Sequence, residues 1–164
     1  MPVAPSGIAT TERPVAALVA AALRFAADPG GWPVAPQFDA ERRWYARLAT
    51  ADSADVEVWA LTWLPGQSTD LHDHGGSSGV FVVVAGLLTE ESVNATDGQA
   101  SVRRLAAGTV RSFGPRHIHR IAGAGPEPAI SVHAYTPALR TMTRYRWAGG
   151  GLRVESVDRA GADW

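Results

Sequence analysis

From residue 55 onward the chain breaks into short β-type segments at even spacing, and this rhythm limits the fold more than any other feature. "DVEVWALTWL" (55–64) alternates, with Val56, Val58, Ala60, Thr62 and Leu64 on one side, and "PGQ" (65–67) reads as a turn. "GVFVVVAGLLTEESV" (79–93) has the composition of a buried strand pair or one long bent strand, closed by the hairpin signal "NATDGQ" (94–99). "SVRRL", "GTVRSF", "HIHRIAG" and "AISVHAYT" follow as further short strands, and "TMTRYRW" (141–147) adds another. Regular short strands punctuated by glycine and proline point to an antiparallel sandwich or barrel.

Ahead of this part, residues 12–28 have a helical pattern. Val15, Leu18, Val19, Ala22 and Leu23 follow the spacing of one apolar face, Pro14 sits in the first turn where it is tolerated, and "DPGGWP" (28–33) stops the helix. "FDAERRWYARLA" (38–49) reads as a second short helix, which gives a helical N-terminal part over 12–49. Residues 1–11 read as a loose leader, and "GGG" (149–151) lies at the start of a C-terminal tail over 148–164. The 164 residues fit a single domain with a core that needs no staples.

Composition narrows the chemistry. The net charge of −1 gives no general attraction to nucleic acid or an anionic membrane. No apolar run approaches the roughly 20 residues needed to span a bilayer. The N-terminus lacks a charged-then-apolar signal pattern, so a cytoplasmic location is expected. There is no cysteine, which excludes disulfides and thiolate ligands; a bound metal must use histidine, aspartate or glutamate. Every basic residue is arginine, so any anion contact uses a guanidinium fork.

Two of the five histidines stand one residue apart in "DLHDHGGSSGVF" (70–81). On a strand, residues i and i+2 share a face, so His72 and His74 project together, with Asp73 turned away. Such a pair also suits a solvated or internally satisfied strand face. A second pair, His117 and His119 in "GPRHIHRI" (114–121), adds weight to a metal site, because a third imidazole from a neighbouring strand completes a facial set. Spacing alone does not choose between His117 and His119.

The stretch from Gly66 to Gly86 resembles the first cupin motif: Gly66, His72, His74, Gly79 and Gly86 stand at its places, with Gly79 where the motif usually carries a glutamate ligand. The stretch from Gly108 resembles the second motif, whose histidine falls on His119, although the proline, glycine and asparagine usual there are not in place. "SVHAYTP" (131–137) resembles the Ser-x-His-x-Tyr element of cupin thiol dioxygenases, and "WYARL" (44–48) resembles their segment carrying a substrate-binding arginine. The similarity to the cysteine dioxygenase type I family, in its bacterial form, runs from about residue 40 to 146. Animal members have a cysteine, crosslinked to the active-site tyrosine, where this chain has Gly79; bacterial members commonly lack it.

The resemblance implies an all-β single cupin, a small antiparallel jelly-roll barrel over 55–147 preceded by one or two helices. It implies Fe(II) held by His72, His74 and His119, with His117 outside the ligand set. It implies Ser131, His133 and Tyr135 as the catalytic line, and Arg47 with Tyr45 as the substrate-binding pair; Arg140 and Arg111 are reserves for the carboxylate. The implied reaction adds O2 to the sulfur of L-cysteine to give cysteine sulfinate, in a monomer with no nucleic-acid or membrane partner. The alternatives are 3-mercaptopropionate or another small thiol as substrate and, in a different class, a non-catalytic cupin that binds a metal or small ligand. Three neutral imidazoles leave an Fe(II) centre with its full charge, and a thiolate substrate supplies the anionic donor that an absent carboxylate would have given.

Overall fold

A computed structural model describes residues 12–49 and 55–163; the expected leader over 1–11 lies outside the described residues. One helix, α1 (Glu12–Ala27), precedes β1 (Tyr45–Ala49), β2 (Glu57–Trp63), β3 (Leu71–His72), β4 (Ser78–Ala85), β5 (Leu87–Val93) and β6 (Ala100–Ala106). These are followed by β7 (Val110–Phe113), β8 (Ile118–Gly123), β9 (Ala129–Thr136), β10 (Thr141–Ala148) and β11 (Gly151–Arg159). They form two antiparallel sheets, ordered β1-β2-β9-β4-β7 and β11-β10-β3-β8-β5-β6, which make the jelly-roll barrel expected from the sequence.

The first sheet is covered on both faces. Its outer face presents Val58, Ala60, Val80, Val82, Val132 and Ala134, and α1 packs over it. The helix uses Leu18 and Ala22, both fully buried, with Ala21, Phe25 and Ala26 beside them; Val15 and Leu23, expected on that face, are exposed. The apolar stripe is therefore rotated from the expected one and begins at Leu18. The alternate residues of the same strands, Trp63, Phe81, Val83 and Tyr135, point into the barrel. Burial on both faces explains why β4 reads as a continuous apolar run and why Val58, Ala60 and Thr62 share one side while Trp59, Leu61 and Trp63 share the other.

The second helix expected over 38–49 is absent, so the helical N-terminal part does not extend to 49. Tyr45–Ala49 is instead an edge strand, with Tyr45 opposite Leu61 and Arg47 opposite Trp59. The segment before it is tied alongside β2: Thr62 Oγ1 donates to the Gln37 carbonyl at 2.6 Å, and Gln67 Nε2 to that of Asp39 at 2.7 Å. A helix here would leave the exposed edge of β2 unpaired, and tertiary pairing outweighs the moderate helix propensity of the segment. The tail gains order in the same way, since β11 pairs along the length of β10.

Candidate metal centre and the pocket beside it

Sheet register builds the site. His72, the last residue of the two-residue strand β3, lies directly opposite His119 of β8. His74 lies beyond the strand, not on it as the spacing predicts, and the chain then turns through Gly75 and Gly76 at φ +57° and +92°. Asp73 fixes this excursion. Its carboxylate accepts from the backbone N–H of Gly75 (3.0 Å) and Thr143 (3.1 Å) and from the Tyr145 hydroxyl (2.8 Å), so it faces β10 and neither the metal centre nor open solvent. Burial and the Asp73 carboxylate push Tyr145 up to about 12. A side chain at Gly75 would collide with Thr141, so the turn accepts only glycine.

The rings of His72, His74 and His119 lie with all three centroid separations at 4.9 Å. One nitrogen from each comes within 4.8 Å of the others, and no aspartate or glutamate belongs to this trio. Burial holds the three imidazoles below their ordinary range, so they are neutral, the state that ligates metal. Outer partners orient two of them. His72 Nδ1 donates to the Asp70 carbonyl at 2.9 Å and His119 Nδ1 donates to Glu90 at 2.9 Å, which leaves each Nε2 for a ligand. His74 is 1 % exposed and neither of its ring nitrogens has a hydrogen-bond partner. An orphaned imidazole in a dry site is costly unless an ion completes it, so the donor set fits a first-row metal.

Glu90 belongs to no motif in the sequence. It is fully buried and accepts from Arg111 (2.7 Å), His117 (3.0 Å) and His119 (2.9 Å). These three donors outweigh its burial and hold its carboxyl far below the ordinary range. His117 reaches Glu90 alone, whereas His119 reaches both Glu90 and the other two imidazoles; Glu90, His117 and His119 also bring one possible ligand atom each within 4.8 Å of one another. Arg111, a reserve for the substrate, is committed to the same carboxylate, and Arg140 is exposed. The parity of Glu90 with the buried Leu88 was the available sequence signal.

Gly79 explains the missing carboxylate. A Cβ there would collide with the Phe113 ring, which packs against His74, His117 and His119. Phe113 thus fills the space that a glutamate or cysteine side chain would need.

A pocket opens against the trio, lined among others by Arg43, Tyr45, His72, His119, His133 and Tyr135. Ser131, His133 and Tyr135 share the inward face of β9, with Ser131 Oγ 2.8 Å from His133 Nε2 and Tyr135 Oη 3.2 Å from His133 Nδ1. Burial lowers His133 to about 3 and raises Tyr135 above its usual range. Tyr135 also stacks on His74, with centroids 5.3 Å apart.

Of the expected substrate pair, Tyr45 lines the pocket and Arg47 does not. Arg47 Nε is 3.0 Å from the buried Glu57 carboxylate, and its guanidinium lies over the Trp59 ring at 4.8 Å. Arg43, which carries no sequence signal of its own, lines the pocket instead and stacks over Trp63 at 5.1 Å. Among the described residues Arg43 has no ion-pair partner; Arg144, across the pocket, is balanced by Asp70 and Asp158.

The family model described as cysteine dioxygenase type I matches residues 9–147. Among solved structures, a Thermus thermophilus protein superposes with a TM-score of 0.54 at 17 % identity, over 63 % of this chain and 90 % of that one. An uncharacterised double-stranded β-helix protein of Klebsiella pneumoniae gives 0.54 at 20 % identity, over 73 % and 90 %. An oxalate oxidase in complex with glycolate gives 0.53 at 15 %, over 59 % of this chain and 52 % of that one. At these identities the superpositions show the fold alone.

Proposed function

Because the chain belongs to the cysteine dioxygenase type I family, we propose that it is an Fe(II)-dependent thiol dioxygenase of a small mercaptocarboxylate, with L-cysteine as first candidate and 3-mercaptopropionate as the alternative. The reaction is R–SH + O2 → R–SO2H, in which both oxygen atoms pass to sulfur. The observation that carries the reading is a trio of neutral imidazoles without an acidic partner, opening on a pocket that holds a tyrosine hydroxyl and a guanidinium.

His72, His74 and His119 would hold the iron, which when bound would supply a cationic centre that favours the thiolate form of the substrate, with open positions for the oxidation chemistry. Phe113 and Phe81 keep water from the ligand rings, since they pack on His119. Tyr135 would touch the bound substrate, with His133 and Ser131 holding its hydroxyl in place. A cytoplasmic monomer suits this reading, because free thiols persist in a reducing compartment.

Two guanidinium groups compete for the substrate carboxylate. Arg47 is the residue the family pattern implies, yet it serves the buried Glu57; Arg43 faces the pocket and has no ion-pair partner among the described residues. We therefore assign the anchor to Arg43, with Arg47 restraining Glu57. The test is anaerobic iron loading followed by oxygen uptake and sulfinate detection over a thiol panel. One O2 consumed per sulfinate formed is expected, and no uptake with any thiol leaves a non-catalytic metal- or ligand-binding cupin. Arg43→Gln should raise KM for mercaptocarboxylates at least about tenfold, the loss of one charged contact, while KM for cysteamine, which lacks the carboxylate, stays put. If Arg47→Gln alone produces that pattern, the anchor is Arg47.

A further inference from the structure

The hydrogen-bonded line on β9 does not begin at Ser131. Trp63, fully buried on the neighbouring strand β2, donates its indole N–H to Ser131 Oγ at 2.9 Å. We propose that Trp63 is a positioning residue whose donor fixes the direction of a four-residue line, Trp63 to Ser131 to His133 to Tyr135, so that the tyrosine hydroxyl hydrogen is presented to the pocket.

The direction follows from valence. An indole nitrogen only donates. Ser131 is fully buried, and among the described residues its oxygen has two partners, Trp63 Nε1 and His133 Nε2. The N–H of Trp63 occupies one side of that oxygen and repels the hydroxyl hydrogen from it. Were His133 also to donate from Nε2, the serine would accept twice and its own hydrogen would be stranded in a dry core. The hydroxyl therefore donates to Nε2. A neutral imidazole carries one N–H, so His133 is protonated on Nδ1 and donates to Tyr135 Oη. With that oxygen already accepting, the phenolic hydrogen turns to the pocket that Tyr135 lines together with His72 and His119. The reversed line would have Tyr135 donating back to His133, with nothing to offer a ligand.

The consequence for catalysis rests on the proposed thiol chemistry, but the direction does not, and the tautomer is read without iron or substrate. In 15N NMR of the metal-free full-length protein, His133 should be the Nδ1–H form by at least about tenfold, the preference set by stranding a buried hydroxyl. Trp63→Phe removes the donor and lets the serine hydrogen swing, so the Nε2–H form should become detectable. Replacing Trp63 with benzothienylalanine, which keeps the ring shape but offers sulfur as a weak acceptor in place of the N–H, should shift the balance further and covers the case that the phenylalanine variant does not fold. In the iron-loaded protein both variants should lower kcat toward the Tyr135→Phe level; Arg43 stacks over the same ring, so kcat and the tautomer, not KM, are the readouts. A wild-type His133 in the Nε2–H form, or a tautomer indifferent to both substitutions, overturns the proposal; a correct tautomer response with no thiol oxidation overturns only the functional reading.

Discussion

Glu90 illustrates how a buried carboxylate can orient a ring of a candidate metal centre. Three donors converge on a carboxylate sealed from solvent, and one of them is the ring that must present its opposite nitrogen to the metal. Glu90→Gln keeps the shape but offers one acceptor oxygen and an amide donor where acceptors are needed. Affinity for Fe(II) or Co(II), measured by competition with a chelator, should fall by roughly 10–100-fold, with the far-ultraviolet circular dichroism unchanged. An unaltered affinity would remove Glu90 from the orienting role. At this scale much of the site is legible in sequence: the ligand trio comes from two spacings plus a resemblance, and the Ser-x-His-x-Tyr parity places three side chains on one face. Arg43, Glu90, Phe113 and Trp63 were not, because an arginine in a loop, a glutamate in a strand and an aromatic in a core each have a commoner, blander explanation.

At the level of elements, β3 contributes only two residues, too short to hold both histidines. The short stretch carrying His74 is held in place by Asp73, which ties it to β10 through Thr143 and Tyr145. Asp73→Ala should therefore loosen the metal centre without removing a ligand. We expect loss of about 1–3 kcal/mol in stability from the donors left unpaired, faster hydrogen exchange at the Gly75 and Thr143 amides, and weaker metal binding. Normal exchange protection at both amides would show that Asp73 does not anchor the turn. The C-terminal hairpin is thus part of the site's support: β10 carries the residues that hold the ligand loop, and β11 covers the outer edge of β10. Its order follows from pairing between segments separated by a glycine turn, whereas the run of three glycines in sequence left the order of the tail open.

Across the whole molecule, the interior collects imidazoles that folding keeps neutral. His133 falls from 6.5 to about 3, and His72, His74 and His119 are also lowered by burial. In the unfolded chain all four take up protons near pH 6.5. The sign is therefore set: above that pH both states are neutral and nothing is lost, and as the pH falls below 6.5 the unfolded state binds protons that the folded state refuses, for His133 down to about 3. Glu90, held below its ordinary value, works in the same direction, since its contribution disappears as acid protonates it. Stability of the metal-free protein should drop by roughly 1.4 kcal/mol per pH unit for each histidine within its window, read by urea denaturation at pH 7.5, 6 and 5. A flat profile over that range would show that these imidazoles are not buried as described. Bound metal should raise the melting temperature at pH 7.5, and acid should reverse the gain because protons compete for the same nitrogens.

The sequence by itself determined an antiparallel sandwich or barrel, the helix ahead of it, and the kind of metal site available to a chain with five histidines and no cysteine. These are local or periodic properties: alternation along a strand, turn residues at fixed intervals, and ligand types that composition either permits or forbids. Only the tertiary structure decided that residues 38–49 hold no helix and that Tyr45–Ala49 pairs as a strand, that His117 braces Glu90, that Phe113 occupies the space above Gly79, and that Arg43 rather than Arg47 stands at the pocket wall. Each of those outcomes depends on which side chain arrives from a distant strand to share one buried space, and spacing along a single strand carries no record of what lies across the sheet.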